Sequence, residues 1–330
     1  MDTTASKGQV KRPNATRHEE HLRVKPQRWL RKRRWREALE FYLLVLPWLV
    51  GFLGLTAGPM IYSLYLSFTS FDLFSPPQWV GAENFTFFFS TPYPLSVFWK
   101  SLGVTAYFTL LSVPVNVIGS LILAVLLNTK IRGVSAYRTL FYLPSLTPAF
   151  ASALLWVWIF NSKFGLANAF LHNVGLPELR WLTDPNLVIP AFVLMGLWGL
   201  GGNTMIIFLA GLQGVPVHLY EAAEIDGANW WRRFWAVTLP QISPTIFFNL
   251  VLGMIGSFQV FTSAFLMTNG GPDYGTYFLV LYIYQEAFKA LHMGRGATLA
   301  WILFVILLFF TLLQFWLSKR WVYYEGGEAA

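Results

Sequence analysis

Six long stretches without a single Asp, Glu, Lys or Arg set the terms on which this chain can fold. They run from Phe41 to Phe71, Ser101 to Thr129, Thr139 to Ser162, Pro185 to Tyr220, Phe234 to Pro272 and Gly296 to Ser318. Each is longer than the ~20 apolar residues that carry a helix across a ~30 Å hydrocarbon core. Only 12% of residues are charged and 55% are hydrophobic, where an ordinary soluble domain has roughly 25% charged. The spans are expected at Phe41–Ser63, Leu102–Leu127, Thr139–Phe160, Leu187–Leu212, Ile242–Met267 and Ala297–Leu317. Unpaired backbone amides are too costly in lipid, so the spans must be helices or strands of a closed barrel; apolar runs this long exclude the alternation of barrel strands. The expected fold is all-α: a polytopic membrane helical bundle of six transmembrane helices.

Orientation follows from the basic residues. Twelve of the 24 Lys and Arg precede the first span, and Arg31, Lys32, Arg33, Arg34 and Arg36 abut it, within the range where positive charge is retained inside. Both termini are therefore expected in the cytoplasm. The remaining loops carry 7 basic residues inside and 5 outside, which adds only weak support. This divides the chain into a basic cytoplasmic arm at 1–40, a transmembrane domain at 41–320 and a cytoplasmic tail at 321–330. The net charge of +8 sits mainly in the arm, interleaved with Trp29 and Trp35. Attraction to anionic membrane lipid and an interfacial aromatic anchor account for that arrangement, and no nucleic-acid partner is expected. The apolar run from Phe41 far exceeds the h-region of a cleaved signal, so the first span is expected to remain.

Several chemistries lack their residues. There is no cysteine, so no disulfide or thiolate metal site is available. His18 and His21 flank two glutamates at i,i+3, whereas a zinc helix needs i,i+4; His172, His218 and His292 are scattered, and no metal is assigned. No Gly-x-x-x-x-Gly-Lys-Ser/Thr, Gly-x-Ser-x-Gly or His-Glu-x-x-His occurs, so neither a phosphate-cradling loop nor a hydrolase motif is present. The chain reads as non-catalytic and without a cofactor of its own. None of the six spans holds an ionisable residue of the kind that ion-coupled carriers use as relays. An ion-coupled secondary transporter subunit, the alternative reading, would then have to bind its ion through unwound backbone.

The loop at 213–241 carries the sharpest pattern. From Val215 to Pro240 it reads VPVHLYEAAEIDGANWWRRFWAVTLP, between the fourth and fifth spans on the cytoplasmic side. Pro216 fits the first turn of a helix and Gly227 a left-handed residue after its end. Leu219, Ala222, Ala223 and Asp226 share one side at helical spacing, with Tyr220 and Glu224 beside them. A short helix lying across the membrane surface is predicted.

Glu221-Ala222-Ala223, then Gly227, then Val237, then Leu239-Pro240 resembles the signature of permease subunits of binding-protein-dependent ABC importers. Further segments are similar to carbohydrate-uptake permeases of the maltose, lactose and glycerol-3-phosphate type. They are Val80 to Phe85, Phe141 to Pro144, Trp156 to Asn168 with Gly165, and Thr268 to Pro272. The resemblance covers the chain from about Phe41 onward. It implies inward movement of a sugar or sugar-like solute across a bacterial or archaeal cytoplasmic membrane, driven by ATP hydrolysis on a separate subunit. The implied partners are a second homologous permease, a cytoplasmic ATPase dimer that binds ATP and Mg, and an extracytoplasmic solute-binding protein. The resemblance makes Leu219, Tyr220, Glu221, Ala222, Ala223 and Asp226 the coupling helix seated in the ATPase, with Gly227 turning the chain behind it.

The solute pathway is less sharply marked. Asn203, Ser257 and Gln259 are the polar residues at membrane depth chosen as candidates, with Trp198 and Phe258 as flat faces for a sugar ring. For any one of them, helix packing or interhelical bonding is the plainer reading, since aromatics make up 18% of the chain. Gly196, Gly199, Gly201 and Gly202 mark either close helix approach or a break in the fourth span. Asn84-Phe85-Thr86 is a formal glycosylation sequon to which no modification is assigned, and Gly54 with Gly58 is a common packing spacing.

Overall fold

The computed structural model describes residues 27–90, 96–129 and 131–323. The basic cluster with Trp29, the His18 to His21 segment and the tail from 324 lie outside the described side chains. Residues up to Ile61 form one unit and those from Tyr62 onward a second.

In the first unit, α1 (Gln27–Phe52) continues through a π turn at Leu53–Ala57 into the start of α2 (Gly58–Ser67), whose residues from Tyr62 belong to the second unit. Its large apolar side chains, Leu44 and Leu55 among them, are exposed, as befits a helix whose solvent is lipid. Gly54 has open space around it rather than a packed neighbour.

In the second unit a two-residue ladder pairs Thr69 with Trp79 and leads into α3 (Glu83–Ser90). Asn84 is buried and its amide donates to the Ser67 and Thr69 carbonyls at 3.0 and 2.9 Å. Both of its N–H groups are thus engaged, which leaves no acceptor for a glycan and explains the sequon as a structural asparagine.

The helices α4 (Val97–Leu127), α5 (Val134–Tyr142), α6 (Ala149–Ile159), α7 (Leu166–Asn173), α8 (Val188–Leu197) and α9 (Asn203–Gly214) follow. After them come α10 (Val217–Ile225), α11 (Trp230–Arg233), α12 (Leu239–Gln241), α13 (Ser243–Phe258), α14 (Leu279–Tyr284) and α15 (Met293–Ser318). The protein is a helical membrane bundle, but its spans are of two kinds. Residues 37–67, 97–127 and 293–318 are continuous helices long enough to cross a bilayer. The other three windows are interrupted, which the sequence expectation of simple spans did not include. The third turns by 92° between 134–146 and 149–159, where Pro144 and Pro148 disfavour a continuing helix. The fourth breaks between α8 and α9, and the fifth stops at Phe258 before a π turn at Ala264–Thr268.

Helix α4 is the spine, since it contributes to all three apolar clusters of the bundle. Phe98 packs with Phe258 and Leu299, Phe108 with Phe192 and Phe278, and Val113 to Leu127 with Met205, Phe208 and Ile242. Its hydroxyls reach across to neighbours. Ser257 Oγ donates to Thr109 Oγ1 at 3.0 Å, Thr105 Oγ1 accepts from the Leu279 N–H at 3.0 Å, and Ser120 Oγ donates to the Leu200 carbonyl at 2.8 Å. The last bond satisfies backbone in the break of the fourth span. Both readings of the glycine cluster therefore apply: the helix is interrupted at 198–202, and a Cβ at Gly201 would overlap the Phe141 carbonyl. At the other end, Arg138 donates to the last carbonyl of α4, Leu127 O, at 2.7 Å, a cation where the helix dipole favours one.

The cysteine-free chain permits a direct test of sidedness. Ala82, Asn173, Tyr274, Ser135 and Asn229 are all exposed. Single cysteines at Ala82, Asn173 and Tyr274 are expected to react with an impermeant thiol reagent applied from outside, while Ser135→Cys and Asn229→Cys stay protected until the membrane is opened. Reversed labelling would invert the topology.

Candidate coupling loop and membrane cavity

The loop between the fourth and fifth spans is built from both ends. Val215 is buried, Pro216 occupies the position before the first helical residue with φ −61°, and α10 runs for nine residues. Pro216 thus stands one place ahead of the helix rather than inside its first turn. The end is a Schellman closure: the Gly227 N–H donates to Glu224 O at 3.0 Å and the Ala228 N–H to Ala223 O at 2.9 Å. Gly227 has φ +75°, and nothing lies within 4 Å of where its Cβ would be. The demand for glycine here is conformational, not steric. Asn229 then caps α11 by accepting from the Arg232 N–H at 2.9 Å, and a π turn at Phe234–Thr238 carries the chain toward α13.

Side chains fasten this unit to the bundle. The hydroxyls of Tyr220 and buried Thr238 lie 3.1 Å apart. Tyr220, Val237 and Leu239 pack on the cluster of Val117, Met205, Phe208 and Ile242. An ion pair of Glu224 with Arg233 spans the same gap, though its exposure makes it a minor contributor. The proposed coupling residues thereby separate. Leu219, Tyr220 and Ala223 are half-buried and face inward, whereas Glu221, Ala222, Asp226 and Gly227 are exposed. Ile225, which sequence reasoning passed over, is 87% exposed, and Val217 is 67% exposed. Apolar side chains presented this way beside a carboxylate form a surface suited to a protein partner.

A cavity of about 280 Å³ lies between α4, α8 and α13. Its polar lining is Ser112, Asn116 and Ser257. Ser257 is hydrogen-bonded to Thr109 and to Met254 O, while the buried Ser112 Oγ has no partner among the described residues. Gly196 and Gly256 face open space, so their missing side chains contribute to the volume. Of the pathway residues chosen from the sequence, only Ser257 lines this cavity. Phe258 turns into the cluster with Phe88 and Leu279, and Gln259 is exposed. Asn203 opens α9 with Oδ1 3.4 Å from the Tyr142 hydroxyl, and Trp198 lines a separate apolar groove with Leu200 and Gly201. Ser112 and Asn116 were legible: Ser101, Thr105, Thr109, Ser112, Asn116 and Ser120 form a polar stripe at steps of three and four along an apolar helix.

The family profile described as "Binding-protein-dependent transport system inner membrane component" matches residues 95–323. The chain is 40% identical over 309 residues to the probable ABC transporter permease protein YesP of Bacillus subtilis, covering 92% of this chain and 97% of that protein. It is 34% identical over 288 residues to the sn-glycerol-3-phosphate transport system permease protein UgpA of Pectobacterium atrosepticum, covering 86% and 95%. Among solved structures, a bacterial alginate ABC transporter in complex with an alginate pentasaccharide-bound periplasmic protein contains a chain that superposes with TM-score 0.74. The two are 25% identical over 89% of this chain and 98% of that one.

The Schellman closure generates its own test. Gly227→Val places a β-branched residue at positive φ, at a cost of about 1–3 kcal/mol, whereas Gly227→Asn is tolerated far better. Amide hydrogen exchange at residues 227 and 228 is expected to accelerate roughly tenfold or more in the valine variant and little in the asparagine variant. Equal protection in both would mean that the left-handed turn does not hold the end of α10.

Proposed function

The chain belongs to the family of binding-protein-dependent transport system inner membrane components, and on that premise we propose how it works as the permease of an importer for sugar-like solutes. It is a membrane-integral subunit of an ABC importer, in a family whose permease subunits are generally non-catalytic. Several relatives are named as probable ABC transporter permeases and others as transport system permeases, which gives no support to the ion-coupled alternative. ATP and Mg are held by a cytoplasmic ATPase pair, a second homologous permease completes the pathway, and a binding protein delivers solute from outside. The membrane is the cytoplasmic membrane of a bacterium or archaeon.

The observation that carries this reading is the two-sided character of α10. Outward, Glu221, Ala222 and Ile225 are exposed for docking on the ATPase. Inward, Tyr220 is fixed to Thr238 and to the apolar cluster that α4, α9 and α13 share. Closure of the ATPase pair displaces α10, and the cluster passes that displacement on as a rigid-body motion. Packed interiors transmit strain because they have few voids in which to absorb it. The cavity between α4, α8 and α13 adjoins the same cluster through Val113 and Val117, so the hydroxyl and amide groups of Ser112, Asn116 and Ser257 feel the movement. ATP then shifts the population between inward- and outward-open states.

Two sets of variants separate docking from solute handling. Ile225→Asp removes about 1.5–3 kcal/mol of apolar burial at the interface, and Glu221→Ala about 1.5–3 kcal/mol for a charged hydrogen bond. Both are expected to reach normal abundance in the membrane yet retain less ATPase on co-purification and transport poorly. Phe164→Ala, on an outer loop, serves as the control and should behave as wild type. Normal ATPase retention and transport in the first two would reduce the loop to a connector. Ser112→Val and Asn116→Leu are expected to do the reverse, keeping the ATPase while lowering transport; unchanged solute kinetics in both would remove the cavity from the pathway.

A further inference from the structure

The outer loop between α6 and α8 is organised by one side chain. Asn168 is 4% exposed and makes four hydrogen bonds. Its amide donates to Ser162 O at 3.1 Å and Leu179 O at 3.0 Å, and its Oδ1 accepts from the Leu179 N–H at 3.2 Å and Trp181 Nε1 at 2.9 Å. Both neighbours of Arg180 in the chain are thereby held by a single buried amide. Trp181 also stacks on Phe160, with ring centroids 5.3 Å apart. Gly165 completes the construction, because a Cβ there would overlap the Asn161 and Ile159 carbonyls.

These residues enclose a cavity of about 430 Å³ against Thr268, Gly271 and Pro272 at the end of the fifth span. Asn161, Ser162, Thr183 and Thr268 supply amide and hydroxyl groups, Trp181 and Phe160 supply ring faces, and Arg180 is the charged residue of the lining. The acids nearby in sequence, Glu178, Asp184 and Asp273, do not line it, and Asp184 Oδ1 accepts from the Asn186 N–H at 2.8 Å. Arg180 has no ion-pair partner among the described residues. The volume is within the range of small-molecule sites, and hydroxyls and amides beside an aromatic face suit a sugar ring. A planar guanidinium adds bidentate recognition of an oxyanion.

Resting on the permease reading, we propose that this cavity is an outer subsite for an acidic carbohydrate: a sugar ring bearing a carboxylate, phosphate or sulfonate that pairs with Arg180. It is separate from the cavity between α4, α8 and α13 and stands nearer the face from which solute arrives. Asn168 is a positioning residue that fixes Arg180 and Trp181.

The test uses the full chain in phosphatidylcholine nanodiscs, with D-glucuronate and D-glucose as probes that differ only in the carboxylate, and binding followed by saturation-transfer NMR. Glucuronate is expected to bind about tenfold more tightly than glucose, the difference a charge-assisted pair supplies. Arg180→Gln should erase that preference without disturbing glucose, and Arg180→Lys should keep part of it. Equal binding of the two sugars, no binding of either, or a preference that survives in Arg180→Gln would overturn the proposal. So would loss of binding-protein docking in Arg180→Gln with sugar binding unchanged, which would reassign the cavity to that partner. If the subsite fails but the assembled complex still imports solute on ATP, the permease reading stands; absence of ATP-dependent import would remove that reading itself.

Discussion

The constraint on which this structure depends is that backbone groups inside hydrocarbon must find partners within the protein. A continuous helix meets it automatically, and the first, second and sixth spans do so. The third, fourth and fifth spans do not, and at the fourth-span break other residues approach closely. Ser120 on α4 donates to the Leu200 carbonyl, Gly119 leaves room for the Leu200 side chain, and Gly201 lets its own break meet the third span. The long, regular α4 is thus what permits its neighbours to be irregular. In membrane proteins broken helices are tolerated where they are buried in protein or line a cavity, and here the fourth-span break lies beside the cavity of Ser112, Asn116 and Ser257.

The same logic bears on how an amphipathic helix of nine residues would carry force in the proposed mechanism. Isolated helices of this length are marginal in water, so α10 depends on its attachments. The Schellman closure at Gly227 fixes its end, and Tyr220 fixes its inner face to Thr238 and to the cluster of Val117, Phe208 and Ile242. Its outer face remains open, with Ile225 and Val217 presented to whatever docks there. A flexible tether would dissipate the motion of a partner. An element clamped on one side and exposed on the other transmits it.

Much of this was legible in the chain. The absence of charge over six windows marked the apolar helical regions, because burying an ion in lipid is costly, and the Pro216 to Gly227 interval located α10 to within two residues. The interruptions were less legible. Pro144 and Pro148 signal a boundary, but hydropathy reads straight through them, and only the glycine cluster of the fourth span announced a break. The residues chosen for the solute pathway lie in different places for a related reason. Ser257 and Phe258 are adjacent in sequence, yet a helix rotates them about 100° apart, toward different neighbours. Ser112 and Asn116 belong to a polar stripe with helical spacing along α4, a span that does not flank the cytoplasmic loop. The exposure of Ile225 could not be read at all, since an isoleucine at a helix end is as often buried.

In the proposed mechanism α10 moves with the bundle as one body. The most direct test is the distance, by pulsed electron spin resonance, between spin labels at His218→Cys on α10, an exposed position outside the docking residues, and Ile118→Cys on α4, in the assembled transporter with and without bound ATP. The expected result is an unchanged intramolecular distance while transport and ATP hydrolysis proceed, with movement appearing only between the two permease subunits. A distance within this chain that changes with ATP would contradict it, showing that α10 swings on its own attachments and that the contact of Tyr220 with Thr238 is a hinge rather than a clamp.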